Sequence, residues 1–582
     1  MFESNPPVTS HRSHRFAIAL AALVAMLSSA VSAESATYYI GQFSGSTPAD
    51  DASCGTGKGA GAAGHPCATV PYWNANRRNA LTNGDVVRIA PGTYKDTGSA
   101  ANTGNHCIIP RANVTYEGRT AADGVLDDRE SVVIDVTGTD KYKNPCGGRP
   151  MQTPGGMPAP LSGFVLRDMK LMGGSNGGGD LNGSYSSGVL LDRVRFTKNS
   201  GSGPGLFVGK YNGSPDDPDC VKTGRPLKNV TIVDSEFDNN TGTFGGISLG
   251  CMDGFTLSRL SVHDNRGAGI SQATCFSNPR SAGCDDLDGV QFQGAIRGTF
   301  SDSEVWNNGE DNVDVGGHPA GKSHDIVVER VWAHDSPGNF KASGSGYVTF
   351  RSNVCTGLGQ CFGQYSCAHH IKLYNNTFWA SSSEAVVHLW QNCYACEFVN
   401  NVFRGNSPSK LVFVDRSSTN PATRWQNNII VNEGTGPAIA EDLGAGQCAN
   451  AAGSTVCEDP SVPCPSFAPM TGPNPLPDSP TGVAQFQAGG DAGEWFGSES
   501  GEGDKWGTAP AIANAAGANP DALHLLSTDT VALDAGIALS PAFNDYDNAP
   551  RPVGPRWDIG ADEAGSSGVP SAPSLISVDP IQ

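Results

Sequence analysis

Apolar and polar residues alternate in short runs along most of the chain, and these runs recur at a regular spacing. From about Leu161 to Asn432, runs of four or five alternating positions are rich in β-branched and aromatic residues, and Gly, Asn and Ser separate them. This alternation predicts strands joined by turns rather than amphipathic helices. One apolar position recurs at a mean interval of 25 residues between Val305 and Ile430. A recurring interval of this length predicts a stack of equivalent repeats.

Four segments of this region can be aligned with one another, because an apolar residue follows the start of each after sixteen positions. The segments begin at Gly246, Gly289, Asn339 and Phe362 and lead to Val262, Val305, Cys355 and Phe378. We therefore predict an all-β protein, a right-handed parallel β-helix of about ten or more coils, with an N-terminal cap and an irregular C-terminal region pinned by disulfides.

Pairs of Asn residues recur with the same period. Asn tolerates the left-handed backbone conformation, and its amide can hydrogen-bond to the coils above and below. We interpret the pairs as structural ladders that satisfy buried polar groups rather than as a site. They are Asn239-Asn240, Asn307-Asn308, Asn375-Asn376, Asn400-Asn401 and Asn427-Asn428.

The pattern predicts five parts of the chain. Residues 1–33 read as a signal peptide, because two Arg residues precede an apolar run that ends in small residues at Ala33. Residues 34–100 are predicted to form the cap and the first coil, and residues 101–432 the β-helix. Residues 433–563, with Cys448, Cys457 and Cys464, are predicted to form the irregular cover, and residues 564–582 a flexible tail.

Composition limits the possible functions and the compartment. The 582 residues include 38 Lys and Arg against 58 Asp and Glu, a net charge of −20, which argues against a nucleic-acid partner. Sixteen cysteines predict an oxidising compartment, so we expect a secreted, extracellular or periplasmic protein. No run after the signal peptide approaches the length of a membrane span, and we expect a monomer. The first disulfides to test are Cys54–Cys67, Cys107–Cys146, Cys220–Cys251, Cys275–Cys284 and Cys355–Cys361.

Superposing successive coils predicts which side chains share a line on the surface. Equivalent positions of parallel strands stack, so one outward-facing line is predicted to contain Ser248, Gln291, Asp314, Lys341 and Gln364, and His388 is predicted to continue it. Three positions before this line, Asp288 and Asp311 are expected to stack on each other, with Glu310 beside them. Four carboxylates are therefore expected on two adjacent coils, and a lysine on the next coil.

Carboxylates in such proximity repel one another unless protons, hydrogen bonds or a cation relieve the repulsion. Hard oxygen ligands in an exported protein suit Ca²⁺, for which Asp288, Glu310, Asp311 and Asp314 are the candidate ligands. The alternative is that some of these acids cap turns and that Lys341 forms a weak surface ion pair with Asp314.

The segment Glu310-Asp-Asn-Val-Asp314, with Asp288-Gly before it and Gly338-Asn-Phe-Lys341 after it, resembles the metal and base motifs of pectate lyases of polysaccharide lyase family nine. The resemblance is specific only between Asp288 and Lys341, and it departs from the family pattern in two places. Glu310 stands where Asp is usual, and Asn312 stands where Gly is usual. It implies a right-handed β-helix in which aspartates hold calcium and Lys341 abstracts a proton from a uronide.

The predicted function is thus a calcium-dependent lyase for an acidic, pectate-like polysaccharide. The net charge opposes binding of a polyanion, so basic side chains such as Arg330 and Arg351 are needed nearby. Gln291, Gln364, His388 and Arg351 are the candidate substrate-binding residues. Two alternatives remain open: a β-helical glycoside hydrolase using Asp311 and Asp314 with Asp285 or Asp286, and a non-catalytic carbohydrate-binding or adhesive protein.

Overall fold

The computed structural model describes sixteen ranges of the chain. They are 35–57, 65–95, 107–138, 146–153, 160–183, 186–209, 227–318, 321–365, 368–381, 385–389, 396–406, 411–415, 424–433, 439–442, 505–506 and 524–564. The predicted signal peptide, the predicted tail after residue 564, and Cys448, Cys457 and Cys464 lie outside these ranges.

Parallel strands stack into three walls, which confirms the predicted right-handed parallel β-helix. Five long strands turn the corners between walls: β7 (Val165–Met172), β9 (Leu190–Thr197), β13 (Ile247–Ser258), β15 (Val290–Trp306) and β18 (His324–His334). Of these, β13 connects the first wall to the second, β7, β9 and β18 connect the second to the third, and β15 contributes to all three.

The remaining strands each belong to one wall. The first wall contains β6 (Met151–Gln152), β8 (Gly179–Leu181), β10 (Leu206–Val208), β16 (Asp311–His318), β19 (Gly338–Ser343), β22 (Gln360–Tyr365), β25 (Val387–Leu389), β28 (Val412–Asp415) and β31 (Ile439–Asp442). The second contains β1 (Thr37–Ile40), β2 (Val86–Ile89), β4 (Thr115–Gly118), β11 (Leu227–Val233), β20 (Gly346–Arg351), β23 (Lys372–Tyr374), β26 (Glu397–Val399) and β29 (Arg424–Gln426).

The third wall contains β3 (Gly92–Lys95), β5 (Val132–Asp135), β12 (Glu236–Asp238), β14 (Ser261–His263), β21 (Val354–Leu358), β24 (Thr377–Ser381), β27 (Val402–Asn406), β30 (Ile429–Asn432) and β32 (Lys505–Trp506). The short strand β17 (Gly321–Lys322) pairs antiparallel with the end of β16. Strands β31 and β32 pair with β28 and β30 and continue the stack beyond residue 432, the predicted end of the β-helix.

Inward-facing side chains of the three walls form one continuous apolar core. The apolar position used to find the period is one line of this core, and it joins Val305, Ala333, Cys355, Phe378, Phe403 and Ile430. Burial of each of these side chains removes apolar surface from water, which stabilises the fold by about 25 cal/mol for each Å² buried. The alternation read from the sequence therefore identifies the face that packs inside.

The Asn pairs occupy the corners between walls, as predicted. In each pair the first residue has a left-handed backbone; Asn375, for example, has φ 53°. The second residue joins a buried ladder of Asn side chains. In one such ladder Asn353, Asn376, Asn401 and Asn428 hydrogen-bond in sequence, amide to amide, at 2.9–3.1 Å. Each of these side chains also donates to a backbone carbonyl of the preceding coil, so the corner satisfies its polar groups without water.

Short helices and disulfides complete the described part of the fold. Helix α1 (Val70–Asn76) packs near the N-terminal coils with Trp73 fully buried, and helix α2 (Gln272–Ser277) lies in the loop that leads from β14 on the third wall to β15 on the first wall. Two 3₁₀ turns span Arg78–Ala80 and Arg129–Ser131. Four predicted disulfides are present, Cys54–Cys67, Cys107–Cys146, Cys275–Cys284 and Cys355–Cys361. Cys251 is also disulfide-bonded, but its predicted partner Cys220 lies outside the described residues.

The C-terminal segment 524–564 packs along the side of the last coils. Asn375, Asn400 and Asn427, the left-handed members of three Asn pairs, donate to its backbone carbonyls. Apolar contacts support it as well, since Trp557 and Phe543 pack against Tyr374 and Val399. Among the described residues no helix is long and apolar enough to cross a membrane.

We predict that Asn376→Ala lowers the free energy of unfolding by about 2 kcal/mol or more. The variant removes the acceptor of the buried Asn353 backbone N–H, at about 1–3 kcal/mol, and one of the two N–H donors to Asn401 Oδ1. Denaturant unfolding measures the effect, and the exposed Asn278→Ala is the matched control, expected within about 0.5 kcal/mol of the parent. Equal stability of the two variants would contradict the structural interpretation of the ladder.

Candidate active site

The first wall carries the outward-facing line predicted from the sequence, and its register is confirmed as far as Lys341. Ser248 pairs with Gln291, Gln291 with Asp314, and Asp314 with Lys341. The residues that flank each of these positions along the strand, such as Val313 and Val315, point into the core and are fully buried. Alternation along the strands therefore directs the four polar side chains to one outer surface.

Asp288, Glu310 and Asp311 form a cluster beside this line. One carboxylate oxygen from each lies within 4.8 Å of the other two, and all three residues are buried. The Asp311 backbone N–H donates to Asp288 Oδ1 at 2.9 Å, and the Asp286 N–H donates to Glu310 Oε2 at 2.8 Å. These bonds fix two of the three carboxylates before any ligand binds.

Lys341 lies against the same cluster from the next coil. Its Nζ is 2.8 Å from Asp311 Oδ2 and 3.2 Å from Asp314 Oδ2. Only 15% of its side chain is exposed, so the pairs are not the solvated surface contacts of the alternative interpretation. The lysine and four carboxylates form one buried, net-negative group, which we call the acidic site.

The electrostatics of the acidic site follow from burial and from like charges. Desolvation raises the pKa of Glu310 to about 7 and that of Asp314 to about 6. Desolvation, together with the charges of Asp311, Asp314 and Glu310, raises the pKa of Asp288 well above its usual range. Desolvation lowers the pKa of Lys341, but the four carboxylates outweigh it and hold that pKa well above 10.5. Without a cation the site therefore competes for protons, and the lysine stays charged.

The residues present fit a divalent cation. Asp314 Oδ1 is buried without a hydrogen-bond partner among the described residues, and every other donor in the cluster is a hard carboxylate oxygen. Gly338 pairs with Asp311, and a Cβ at Gly338 would lie 1.8 Å from Asp311 Oδ1. The glycine of the Gly338-Asn-Phe-Lys341 motif thus leaves the space that the Asp311 carboxylate occupies.

The two departures from the family pattern have different consequences. The longer side chain of Glu310 reaches the cluster, as its position with Asp288 and Asp311 shows. Asn312 points to the interior, where it accepts from Asn308 Nδ2 at 2.7 Å and donates to Asn339 Oδ1 at 2.7 Å. It extends an Asn ladder and does not enter the acidic site.

One basic residue near the site was missed from the sequence. Arg280 lies in the loop closed by the Cys275–Cys284 disulfide, and its guanidinium is 3.3 Å from both Glu310 Oε1 and Asp285 Oδ1. Its side chain is 72% exposed, so it stands at the rim of the acidic site with its charge in solvent. The available signal was an arginine between two close cysteines just before Asp288.

The prediction for Gln364 is wrong. Lys341 pairs with Gly363, and Gln364 pairs with the core residue Ala342, so its side chain is fully buried and donates to the Ala368 carbonyl. Phe340 pairs with Phe362 on the first wall, and Cys355 pairs with Phe378 on the third wall. The chain takes 15 residues from Phe340 to Cys355 but 16 residues from Phe362 to Phe378. The extra residue in the second coil shifts the alignment by one position.

The line beyond Lys341 continues through Gly363 to His388, as predicted for the histidine. A Cβ at Gly363 would lie 2.4 Å from the Tyr365 ring, so this ring covers the position next to Lys341. The ring centroids of Tyr365 and His388 are 5.9 Å apart. An aromatic ring thus takes the place that the sequence alignment assigned to Gln364.

The two arginines expected near the substrate are elsewhere. Arg351 ends β20 on the second wall, where its guanidinium is 2.6 Å from Glu329 and packs over the Phe543 ring. Arg330 pairs with Asp302 and Glu329. The prediction of Arg351 as a substrate-binding residue is wrong, because an internal ion pair on another wall occupies its charge.

Comparisons with known proteins return likenesses of fold. No family model and no curated protein matches the chain. Among solved structures, the chain is similar to pectate lyase Pel9A at 14% identity and a TM-score of 0.40, covering 91% of this chain and 97% of that one. It is also similar to the A-module of the mannuronan C-5 epimerase AlgE4 of Azotobacter vinelandii, at 15% identity, a TM-score of 0.35, and 62% and 83% coverage.

We predict that Ca²⁺ raises the Tm of the protein and that the rise is larger at pH 8 than at pH 5. Both Glu310 and Asp314 have raised pKa values, so above about pH 7 they are ionised, repel in the folded state and bind a cation. At pH 5 both carry protons, the repulsion is absent, and protons compete with Ca²⁺. Thermal unfolding with and without Ca²⁺ at the two pH values measures the difference.

The variant for this test is Asp288→Asn, which preserves a side-chain acceptor for the Asp311 N–H and removes one charge. The matched control is Asp325→Asn, an exposed carboxylate beside His324. We expect the Ca²⁺ effect to disappear in the first and to persist in the second. A Ca²⁺ response that survives in Asp288→Asn would place the cation elsewhere.

Proposed function

We propose that the protein is an exported, calcium-dependent polysaccharide lyase that cleaves an acidic, uronate-containing polymer by β-elimination. The observation that carries the proposal is the contact of Lys341 with two carboxylates of a buried acidic cluster on the adjacent coil. The pectate-lyase motifs resembled by the sequence supply the substrate class. The disulfides of the described residues support export, since such bonds persist in oxidising compartments.

Asp288, Glu310, Asp311 and Asp314 would hold the cation. Bound Ca²⁺ would neutralise the carboxylate of the uronide and so make the proton at C5 more acidic. The acids of the cluster are partly desolvated and already positioned by backbone hydrogen bonds, so they need little reorganisation to bind it. The exposed guanidinium of Arg280 offsets part of the negative field that a polyanion meets on approach.

Lys341 is the proposed base. Its Nζ would take the C5 proton, the C5–H electrons would form the C4–C5 double bond, and the C4–O glycosidic bond would break, with solvent water supplying the proton that the leaving oxygen gains. The carboxylates that now hold the lysine in its charged form would be engaged with the cation, which removes the cause of its raised pKa. The proposal therefore requires metal for the base as well as for the substrate.

The substrate surface we propose follows the outward line on either side of Lys341. Gln291 and His388 lie on this line, each two coils from Lys341 and on opposite sides of it. The Tyr365 ring lies beside the line at Gly363. Gln291 is buried with Oε1 unpartnered among the described residues, so it can accept a hydrogen bond from a sugar hydroxyl. We expect a monomer to be sufficient.

The experiment is incubation of the protein with polygalacturonate and other uronides, with Ca²⁺ or a chelator, while the absorbance of the unsaturated product is followed. We expect a Ca²⁺-dependent signal that Lys341→Ala lowers by about 10²–10⁴-fold, since a positioned base contributes that much. The matched control is Lys372→Ala, a lysine ion-paired with Glu397 on the second wall, which should retain activity.

Three results would contradict the lyase proposal. New reducing ends without unsaturation would indicate a hydrolase. Binding without any product would indicate a carbohydrate-binding protein. Full activity of Lys341→Ala would exclude this lysine as the base.

A further inference from the structure

A second cluster of metal-ligating side chains lies in the C-terminal segment, away from the acidic site. One ligand atom each from His524, Asp547 and Asp562 lies within 4.8 Å of the other two. The His524 imidazole Nε2 is 3.3 Å from Asp547 Oδ2. The two carboxylates are buried, and 30% of the histidine side chain is exposed.

Buried oxygens in this cluster lack partners. Asp547 is only 9% exposed, and its Oδ1 has no hydrogen-bond partner among the described residues. Asp545, two residues earlier, is fully buried, and its Oδ2 also has no hydrogen-bond partner among the described residues. An unpaired buried carboxylate oxygen costs free energy, so such oxygens point to a ligand.

The neighbouring cation, Arg551, donates its hydrogen bonds to groups other than these acids. Arg551 donates to Glu563 Oε2 at 2.7 Å and to the carbonyls of Gly560 and Ala561. One histidine therefore faces an excess of negative charge.

Backbone hydrogen bonds bring the ligands together from three separate stretches. The Leu525 N–H donates to Asp562 Oδ2 at 2.7 Å, and the Tyr546 N–H donates to the Ala561 carbonyl at 2.8 Å. The Ala561 N–H in turn donates to Thr377 Oγ1 on the third wall at 2.9 Å. The cluster is thus built where the C-terminal segment meets the stack.

We propose that His524, Asp547 and Asp562, with Asp545 beside them, form a second metal site that takes a divalent transition-metal ion such as Zn²⁺. An imidazole in the ligand set favours zinc over calcium, and Zn²⁺ binds both histidine nitrogen and aspartate oxygen. Bound metal cross-links three stretches of a segment that has almost no strands of its own. Its role is to hold that segment on the third wall, independently of the proposed lyase chemistry.

The test uses the full-length protein and a background variant, Asp288→Asn/Glu310→Gln/Asp311→Asn, which removes the acidic site. Isothermal titration with Zn²⁺ and analysis of bound metal are expected to give one equivalent in the background variant. Adding His524→Gln is expected to abolish that equivalent and the rise in Tm produced by Zn²⁺. This substitution is the least disruptive of the three because His524 is partly exposed.

The matched control is Asp534→Asn in the same segment and background. Asp534 accepts from the Arg556 N–H outside the cluster, so this variant should keep its bound zinc. The proposal is overturned if the background variant binds no zinc, binds Ca²⁺ but not Zn²⁺ here, or keeps its zinc after His524→Gln. If His524→Gln fails to fold, the absorption spectrum of Co²⁺ bound to the background variant tests the proposal instead. A spectrum that shows no nitrogen ligand would also overturn the proposal.

Discussion

In-register stacking of parallel strands is the constraint on which the rest of this structure depends. It forces equivalent positions of successive coils to lie one strand spacing apart, whatever their chemistry. Apolar side chains and Asn amides benefit from this arrangement, because contacts and hydrogen bonds repeat from coil to coil. Carboxylates do not benefit, since stacking brings like charges together in a buried place. The acidic site is the place on the first wall where stacking brings buried carboxylates together despite their electrostatic repulsion.

That cost is partly offset by the protein itself. Backbone N–H groups bind Asp288 and Glu310, and the Lys341 ammonium contacts Asp311 and Asp314. The remaining imbalance appears as raised pKa values and as a buried Asp314 oxygen without a partner. A cation would complete the arrangement and would at the same time release the lysine from the charges that hold it protonated. In the proposed mechanism, metal binding and base activation would thus be linked through the same carboxylates.

Much of this arrangement could be predicted from the sequence, because the period of the core residues and of the Asn pairs fixes the register. The line from Gln291 through Asp314 to Lys341 follows directly from it. The prediction fails at Gln364, where one additional residue in a turn shifts the alignment and leaves Gly363 and the Tyr365 ring beside the lysine. Arg351 was predicted to bind substrate only because it is positively charged. Its partner Glu329 could not be inferred without knowing which wall each residue occupies.

Irregular segments were beyond the reach of the pattern. Arg280 lies near Glu310 because a disulfide closes its loop, and the second cluster consists of His524, Asp547 and Asp562 in a segment with no period. Contacts there depend on individual hydrogen bonds, such as that from Ala561 to Thr377. These features require coordinates, whereas the stacked walls follow from repeated residues.

The most direct measurement is a crystal structure of Lys341→Ala with Ca²⁺ and an oligouronate bound. We expect a cation held by Asp288, Asp311 and their neighbours, in contact with a sugar carboxylate, and the C5 hydrogen of that sugar directed at position 341. A cation absent from the acidic site, or an oligouronate bound on another wall, would contradict the link between the stacked carboxylates and the lysine.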